Sequence, residues 1–200
     1  ESFVCGQELN PVIIKQHAGQ FDLDAVTVLH YTGRELSTIS CLEECVNAIE
    51  INFSDNAITR ISGMETLVKL RKLVLTNNKI RMVESIENLE NLEHLLLQGN
   101  QISTLEELNL SLLQKLPKLV SLYLKNVDGS HPNPVCKEAG YRETILRLLP
   151  QLRNLDGERL RSKSNTFYQE ASKEPAQLES DNGAVGHSQN RTVNATPFAP

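Results

Sequence analysis

The chain has no tryptophan, and phenylalanine and tyrosine together supply only 4% of its 200 residues. Because 40% of the residues are nevertheless apolar, the core must be built mainly from stacked aliphatic side chains. No stretch approaches the roughly 18 to 20 consecutive apolar residues that span a bilayer. The N-terminus shows no secretory signal, and we expect an intracellular, cytoplasmic protein with no membrane partner.

Basic clusters and paired cysteine motifs are also missing. The formal net charge is −5 at pH 7, and binding to phosphates requires clustered lysine and arginine, so we expect no nucleic-acid partner. The spacing of the cysteines matches neither a zinc site nor a small disulfide framework. The cysteines are Cys5, Cys41, Cys45 and Cys136. We predict reduced thiols, the last three of them packed in the fold, and no metal or other cofactor.

A repeat of 22 residues is the strongest feature that the chain does contain. The segment Leu70–Ile80, LRKLVLTNNKI, has counterparts 22 residues before it and 22 residues after it. The fifth copy follows its predecessor by 27 residues, and the extra length falls at Asn109–Gln114. The other four copies are Val26–Leu36, Ala48–Ile58, Leu92–Ile102 and Leu119–Leu124. Self-similarity of this period predicts a solenoid.

Each repeat has three predicted parts. Alternating apolar residues predict a short strand whose inward side chains stack on the neighbouring repeats. The strands are followed by Asn56, Asn78 and Asn100, whose amides can bond to backbone groups in the turn. The terminal copies have Arg34 and Val127 at this position, so we expect the asparagine ladder to break there. Apolar residues at every third position then predict a 3₁₀-like or short helical return.

Both ends of the solenoid carry predicted caps. Asn10-Pro11 starts a helix that Gly19 can stop, and a second helix ends at Pro150, before a strand-like segment. The predicted divisions are an N-terminal cap at 1–25, repeats at 26–130, a C-terminal cap at 131–160, an extension at 161–170 and a disordered tail at 171–200. The predicted fold class is an α/β solenoid of about five repeats, a right-handed arc with a parallel sheet on its concave side. Because both ends are capped, we expect a monomer before partner binding.

The repeats and the C-terminal segment resemble the 22-residue class of leucine-rich repeats typified by the regulator of protein phosphatase 1. This class also contains the A-prime subunit of a spliceosomal ribonucleoprotein and the light chain of outer-arm axonemal dynein. The cap residues that carry the resemblance are Asn133, Pro134, Tyr141, Pro150, Leu152, Leu155 and Asp156. The resemblance covers roughly residues 10 to 160. It implies an intracellular adaptor, in a cytoplasmic, ciliary, cytoskeletal or nuclear setting.

The residues on either side of the inward-facing ones form the predicted binding surface, which we call the concave face. Its central column contains His30, Asn52, Val74, Leu96 and Tyr123. Because an uncovered parallel sheet is unusual, we predict that Val74, Leu96 and Tyr123 are exposed and anchor a protein partner, either a helix or an extended segment. The remaining predicted contact residues are Lys72, Thr76, His94, Gln98 and Lys125.

Other surfaces remain open as alternatives. A partner can instead use an edge or a cap of the solenoid, with the apolar residues of the sheet merely tolerated. Acidic residues on the convex returns, among them Glu84, Glu87 and Glu90, form either a solvated face or a surface for a basic partner.

No catalytic arrangement finds support in the sequence. A glycine-rich phosphate loop is missing, and no Ser-His-Asp or Cys-His set can be assembled. We therefore predict a non-catalytic scaffold or adaptor that binds a protein. The alternatives are a regulatory subunit of an enzyme such as a phosphatase and a ribonucleoprotein-type scaffold, and only the identity of the partner separates them.

Overall fold

A computed structural model describes residues 8–160. The helices are α1 (Pro11–Ala18), α2 (Leu110–Leu113) and α3 (Tyr141–Leu148), with short 3₁₀ helices at Leu23–Ala25 and Pro134–Lys137. The strands are β1 (Val28–His30), β2 (Glu50–Asn52), β3 (Lys72–Val74), β4 (His94–Leu96), β5 (Ser121–Tyr123), β6 (Asn154–Leu155) and β7 (Glu158–Arg159). They form one sheet in sequence order, which confirms the predicted solenoid.

The strand register follows the sequence repeat. Strands β1 to β6 pair in parallel, and each inward residue lies beside the corresponding residue of the next copy, as Ile51 does beside Leu73. The longer fourth unit keeps this register, because its extra residues form α2 at the place predicted for the insertion. Strand β7 pairs antiparallel with β6, a terminal hairpin that the repeat pattern does not predict.

The core consists of stacked side chains, one set from each repeat. The inward strand residues, for example Leu73 and Leu95, are fully buried, and so are the apolar residues at every third position of the second and third returns. In the second return, Leu67 N donates to Met64 O (3.1 Å) and Leu70 N donates to Leu67 O (3.0 Å). These are successive single turns with the predicted three-residue period. They are the 3₁₀-like form of the predicted return, and they do not join into a continuous helix.

The asparagine ladder satisfies the backbone where each strand turns away. The Asn78 side-chain amide donates to Phe53 O (2.9 Å) in the previous repeat and to Leu75 O (3.1 Å) in its own. Its oxygen accepts from Ile58 N (3.0 Å). One side chain thus links two repeats. It gives hydrogen-bond partners to three backbone groups, whose burial without partners would lower the stability of the fold. Asn56 and Asn100 repeat this pattern.

The prediction that the ladder breaks after the fifth strand was wrong. Val127 stands at the ladder position of the fifth copy in the sequence, but residues 126–132 form a loop away from the turn. The chain returns after this loop, and Asn133 makes the ladder hydrogen bonds instead. The Asn133 amide donates to Leu97 O (2.7 Å) and Leu124 O (2.8 Å). Asp156 continues the ladder: its carboxylate accepts from Leu124 N (2.7 Å) and from the hydroxyl of Tyr141 (2.9 Å).

The cap helices are placed as predicted. Asn10 caps α1 by accepting from Ile13 N (3.0 Å), and Gly19 ends the helix with φ of 65°. Helix α3 ends before Pro150. No helix within residues 8–160 is long and apolar enough to cross a membrane. The first seven residues with Cys5, the extension at 161–170 and the tail at 171–200 lie outside the described residues, and the predictions made for them stay predictions.

Replacing a ladder amide tests how much of the stability depends on it. We expect Asn78→Ala to lower the free energy of unfolding by at least about 3 kcal/mol, because it leaves several buried backbone groups without partners. Urea unfolding followed by circular dichroism measures the change. The control is Asn88→Ala, whose exposed side chain donates to Glu65 O at 3.3 Å, and which should cost less than about 1 kcal/mol. Equal losses in the two variants would contradict the role assigned to the ladder.

Candidate protein-binding face

The five central residues of the concave face lie in one row across the sheet. The strand register pairs His30 with Asn52, Asn52 with Val74, Val74 with Leu96 and Leu96 with Tyr123. The repeat therefore brings side chains up to 93 positions apart in the sequence onto one surface. No described helix or strand lies over this row.

The N-terminal part of the concave face is ionic. Glu50 Oε1 lies 2.9 Å from Lys72 Nζ and 3.6 Å from His30 Nε2. The hydrogen bond from Lys72 holds the pKa of Glu50 below its usual range, and His30 adds a smaller effect in the same direction. Glu50 therefore connects two predicted contact residues as an anion. The sequence placed it on this face but gave no reason to rank it above its neighbours.

The C-terminal part of the concave face is apolar but more closed than predicted. Val74 is only 7% exposed, so the prediction of three exposed apolar residues was wrong for this one. Its side chain is short and lies between the longer side chains of Asn52 and Leu96, one strand spacing away on each side. Leu96 and Tyr123 remain partly exposed, and they are the apolar residues that a partner can reach.

Gln98 and Lys125, both predicted contact residues, are held by neighbours within the protein. Gln98 is buried, and its side-chain oxygen accepts from the Thr76 hydroxyl (3.1 Å). The Lys125 ammonium lies 5.7 Å from the ring centroid of Tyr141, a cation–π contact within the C-terminal cap. His94 stays partly exposed beside Glu93, with 4.0 Å between His94 Nε2 and Glu93 Oε2. The side chains of Gln98 and Lys125 are therefore engaged within the protein and are less available for contact with a partner.

A cavity of about 420 Å³ adjoins the apolar end of the concave face. Its walls combine residues of the concave face with residues of the loop at 126–132, which precedes Asn133. The lining residues are Gln98, Tyr123, Asn126, Val127 and Asp128. This cavity was missed at the sequence level, although an apolar residue at the ladder position followed by Asp-Gly was a signal of an unusual loop.

The loop beside the cavity has a fixed shape. Asp128 Oδ1 accepts from Ser130 N (2.9 Å) and Ser130 Oγ (2.7 Å), and this hydroxyl lowers the pKa of Asp128. Gly99 N donates to His131 O (2.7 Å). Val127 packs so closely on Gly157 that a Cβ there would lie 2.2 Å from its methyl group, yet Val127 is 77% exposed. The loop thus presents an apolar side chain and a carboxylate next to Tyr123.

The cysteines within the described residues carry free thiols. Cys45 is buried, and Cys41 and Cys136 are half-buried. Burial raises the pKa of both Cys45 and Cys136 to about 11, which keeps them protonated and weakly nucleophilic. Among residues 8–160, no group of three or more His, Cys, Asp or Glu side chains is placed to hold a metal ion.

The repeating strand-turn units and their capped ends define a leucine-rich-repeat solenoid. A family model described as leucine-rich repeat matches residues 8–180, and the chain belongs to this family. Proteins of the family are typically interaction modules without catalytic activity.

The curated relatives are named leucine-rich repeat-containing protein 61. The mouse protein is 50% identical over 161 residues, which is 80% of this chain and 61% of the relative. The human protein is 48% identical over 164 residues, 82% of this chain and 62% of the relative. The chain thus spans about three fifths of the length of these relatives. This similarity confirms a narrower resemblance to the same protein that the cap segments 19–23 and 133–136 carry in the sequence.

A solved structure with a similar fold is that of the SNF/U2A' complex of Drosophila melanogaster. The TM-score is 0.66 at 28% identity, and the match covers 82% of this chain and 91% of that chain. The similarity thus extends over nearly the whole of the neighbouring chain.

Removing the Glu50 carboxylate tests the ionic part of the face. The pKa of Glu50 is lowered by folding, so its contribution to stability is fully present above its ordinary value of 4.5 and is lost as the pH falls through the folded-state pKa. We expect wild type to exceed Glu50→Gln in unfolding free energy by up to about 1 kcal/mol at neutral pH. The difference should shrink as the pH falls below 4.5.

Urea unfolding at a series of pH values between about 7 and about 3 measures this difference. Glu87→Gln is the control, because Glu87 is exposed on a return and should produce a smaller, flatter difference. If the two variants follow the same pH profile, Glu50 has no special ionic role.

Proposed function

We propose that this protein is a non-catalytic, intracellular adaptor that binds a segment of a partner protein on its concave face. The observation that carries the proposal is the uncovered side of the parallel sheet. Parallel sheets are usually covered on both faces, whereas here the row from His30 to Tyr123 has no described element over it. A helix or an extended segment supplies the missing layer.

The distribution of side chains on the face supports a partner segment with two different ends. At one end, the ionic group around Glu50 offers both charges and the half-exposed His30 ring. At the other, Tyr123 lines the cavity beside Val127, and Leu96 lies next to Tyr123 on the neighbouring strand. Burying apolar and aromatic side chains in a cavity contributes most to affinity, and a charged rim contributes mainly to orientation. The partner therefore places its apolar side chains toward the C-terminal repeats.

The similarity to the SNF/U2A' structure supports a second candidate within the same class of activity, a ribonucleoprotein-type scaffold. That structure is a complex, and its chain is matched over 91% of its length. The concave face would then hold a protein component of the particle. A regulatory subunit that positions an enzyme is the same binding activity with a different partner. A cytoplasmic location belongs to the proposal.

A double variant on the concave face tests the adaptor proposal. We expect Leu96→Asp/Tyr123→Ala to reduce the amount of specifically captured partner from cell lysate by about ten-fold or more, because both apolar contact residues are lost. Quantitative mass spectrometry of proteins bound to the immobilised chain measures the change.

The matched control is Val68→Asp/Phe21→Ala, which introduces the same two residues, Asp and Ala, at exposed apolar and aromatic positions outside the strands. Circular dichroism melts establish that both double variants are folded. Loss of the same proteins in the control, or their retention by the concave-face variant, would move the binding site to a cap, an edge or the convex side.

A further inference from the structure

A second cavity lies on the edge of the solenoid, where the chain leaves the ladder asparagines. Its volume is about 530 Å³, and we call it the edge groove. It is lined by Thr59, Arg60, Lys79, Arg81, Met82 and Glu84. These residues come from two successive turns, and Gln101 of the following turn completes the lining. All of them lie outside the strands, so the groove is separate from the concave face.

The edge groove carries an excess of positive charge. Arg60 is the one cation there with a carboxylate partner: its Nε lies 2.8 Å from Glu84 Oε1 and its second nitrogen contacts the other oxygen at 3.3 Å. Arg81 Nε donates to the neutral amide of Gln101 (3.3 Å). Among the ion pairs of the described residues, none includes Lys79 or Arg81. Three cations and one carboxylate leave a charge of +2, opposite in sign to the chain total of −5.

The groove also exposes an apolar side chain between its cations. Met82 is 45% exposed, and methionine adapts its shape to aliphatic and aromatic neighbours. The Thr59 hydroxyl is a further hydrogen-bond donor in the same wall. Unpaired donors around an exposed thioether match a ligand that combines carboxylates with an aliphatic side chain.

We propose that the edge groove binds an acidic peptide segment, with carboxylates on Lys79 and Arg81 and an adjacent aliphatic side chain on Met82. The remaining guanidinium N–H groups of Arg81 and the Lys79 ammonium donate to the carboxylates. The Arg60–Glu84 pair forms one wall and limits the number of carboxylates that the groove accepts. This site goes beyond the adaptor activity of the concave face, and the two can be occupied together.

The direct test is an NMR titration of the ¹⁵N-labelled full chain with an N-acetylated peptide of alternating glutamate and leucine. The comparison peptide replaces each glutamate by glutamine. We expect saturable shifts at the amides of Lys79, Arg81 and Met82 with the acidic peptide, and at least about ten-fold weaker binding of the glutamine peptide. Raising the salt concentration should also weaken the binding of the acidic peptide, since the charges of the groove and of the peptide are exposed to solvent.

Three variants separate the groove from general charge attraction. Lys79→Glu/Arg81→Glu should abolish the shifts, whereas Lys115→Glu/Lys137→Glu, with the same change in net charge at exposed residues elsewhere, should bind within about two-fold of wild type. Glu84→Gln should bind about two- to three-fold more tightly, because it releases Arg60. A gain of binding cannot come from unfolding.

The concave-face variant Leu96→Asp/Tyr123→Ala should bind the acidic peptide as wild type does, so the groove is tested independently of the adaptor proposal. Equal shifts with both peptides, shifts that map to the concave face, or unchanged binding by Lys79→Glu/Arg81→Glu would overturn the proposal. A single-stranded oligonucleotide that binds the groove more tightly than the acidic peptide would overturn it too, in favour of a phosphate ligand.

Discussion

The structure depends on hydrogen bonds in which one asparagine side chain after each of the strands β2 to β5 satisfies backbone groups of two neighbouring repeats. The strands are only two or three residues long, so they cannot hold the register by themselves. Asn78 bonds to carbonyls on both sides of a repeat boundary, and this link fixes where each turn begins. Within the described residues, every buried side-chain nitrogen and oxygen atom has a hydrogen-bond partner. The leucine stack then follows, because a fixed turn places each apolar side chain over its counterpart.

The repeat period explains why so much of the fold could be predicted from sequence. A 22-residue offset specifies the strand partners directly, and Asn10-Pro11 with Gly19 specifies the first helix through local capping chemistry. The place of Asn133 in the asparagine ladder was not predictable in the same way. Asn133 takes part only because an intervening loop closes on Gly99 and Gly157, and contacts across that distance leave no periodic signal. The hairpin of β6 and β7 is local by contrast: Asp156-Gly157 forms its two-residue turn with positive φ at both residues, and this sequence signal was missed.

The candidate site shows the same division between what is periodic and what is not. The row from His30 to Tyr123 follows from the period, and its residues are adjacent as predicted. The exposure of each side chain depends on its neighbours' lengths, so Val74 is buried while Leu96 remains accessible. The pairing of Glu50 with Lys72 and the cavity beside Val127 arise from side chains that meet only in three dimensions. The edge groove likewise combines surface residues at positions whose residue type the repeat pattern does not specify.

The central claim is that a partner covers the open side of the sheet, and hydroxyl-radical footprinting of a captured complex tests it most directly. The rate of side-chain oxidation is measured by mass spectrometry for the free chain and for the complex. We expect Leu96 and Tyr123 to be protected in the complex, while Phe21, which is exposed on the N-terminal cap, reacts as it does in the free chain. Unchanged oxidation of Leu96 and Tyr123 in a complex that protects Phe21 or Met82 would contradict the claim.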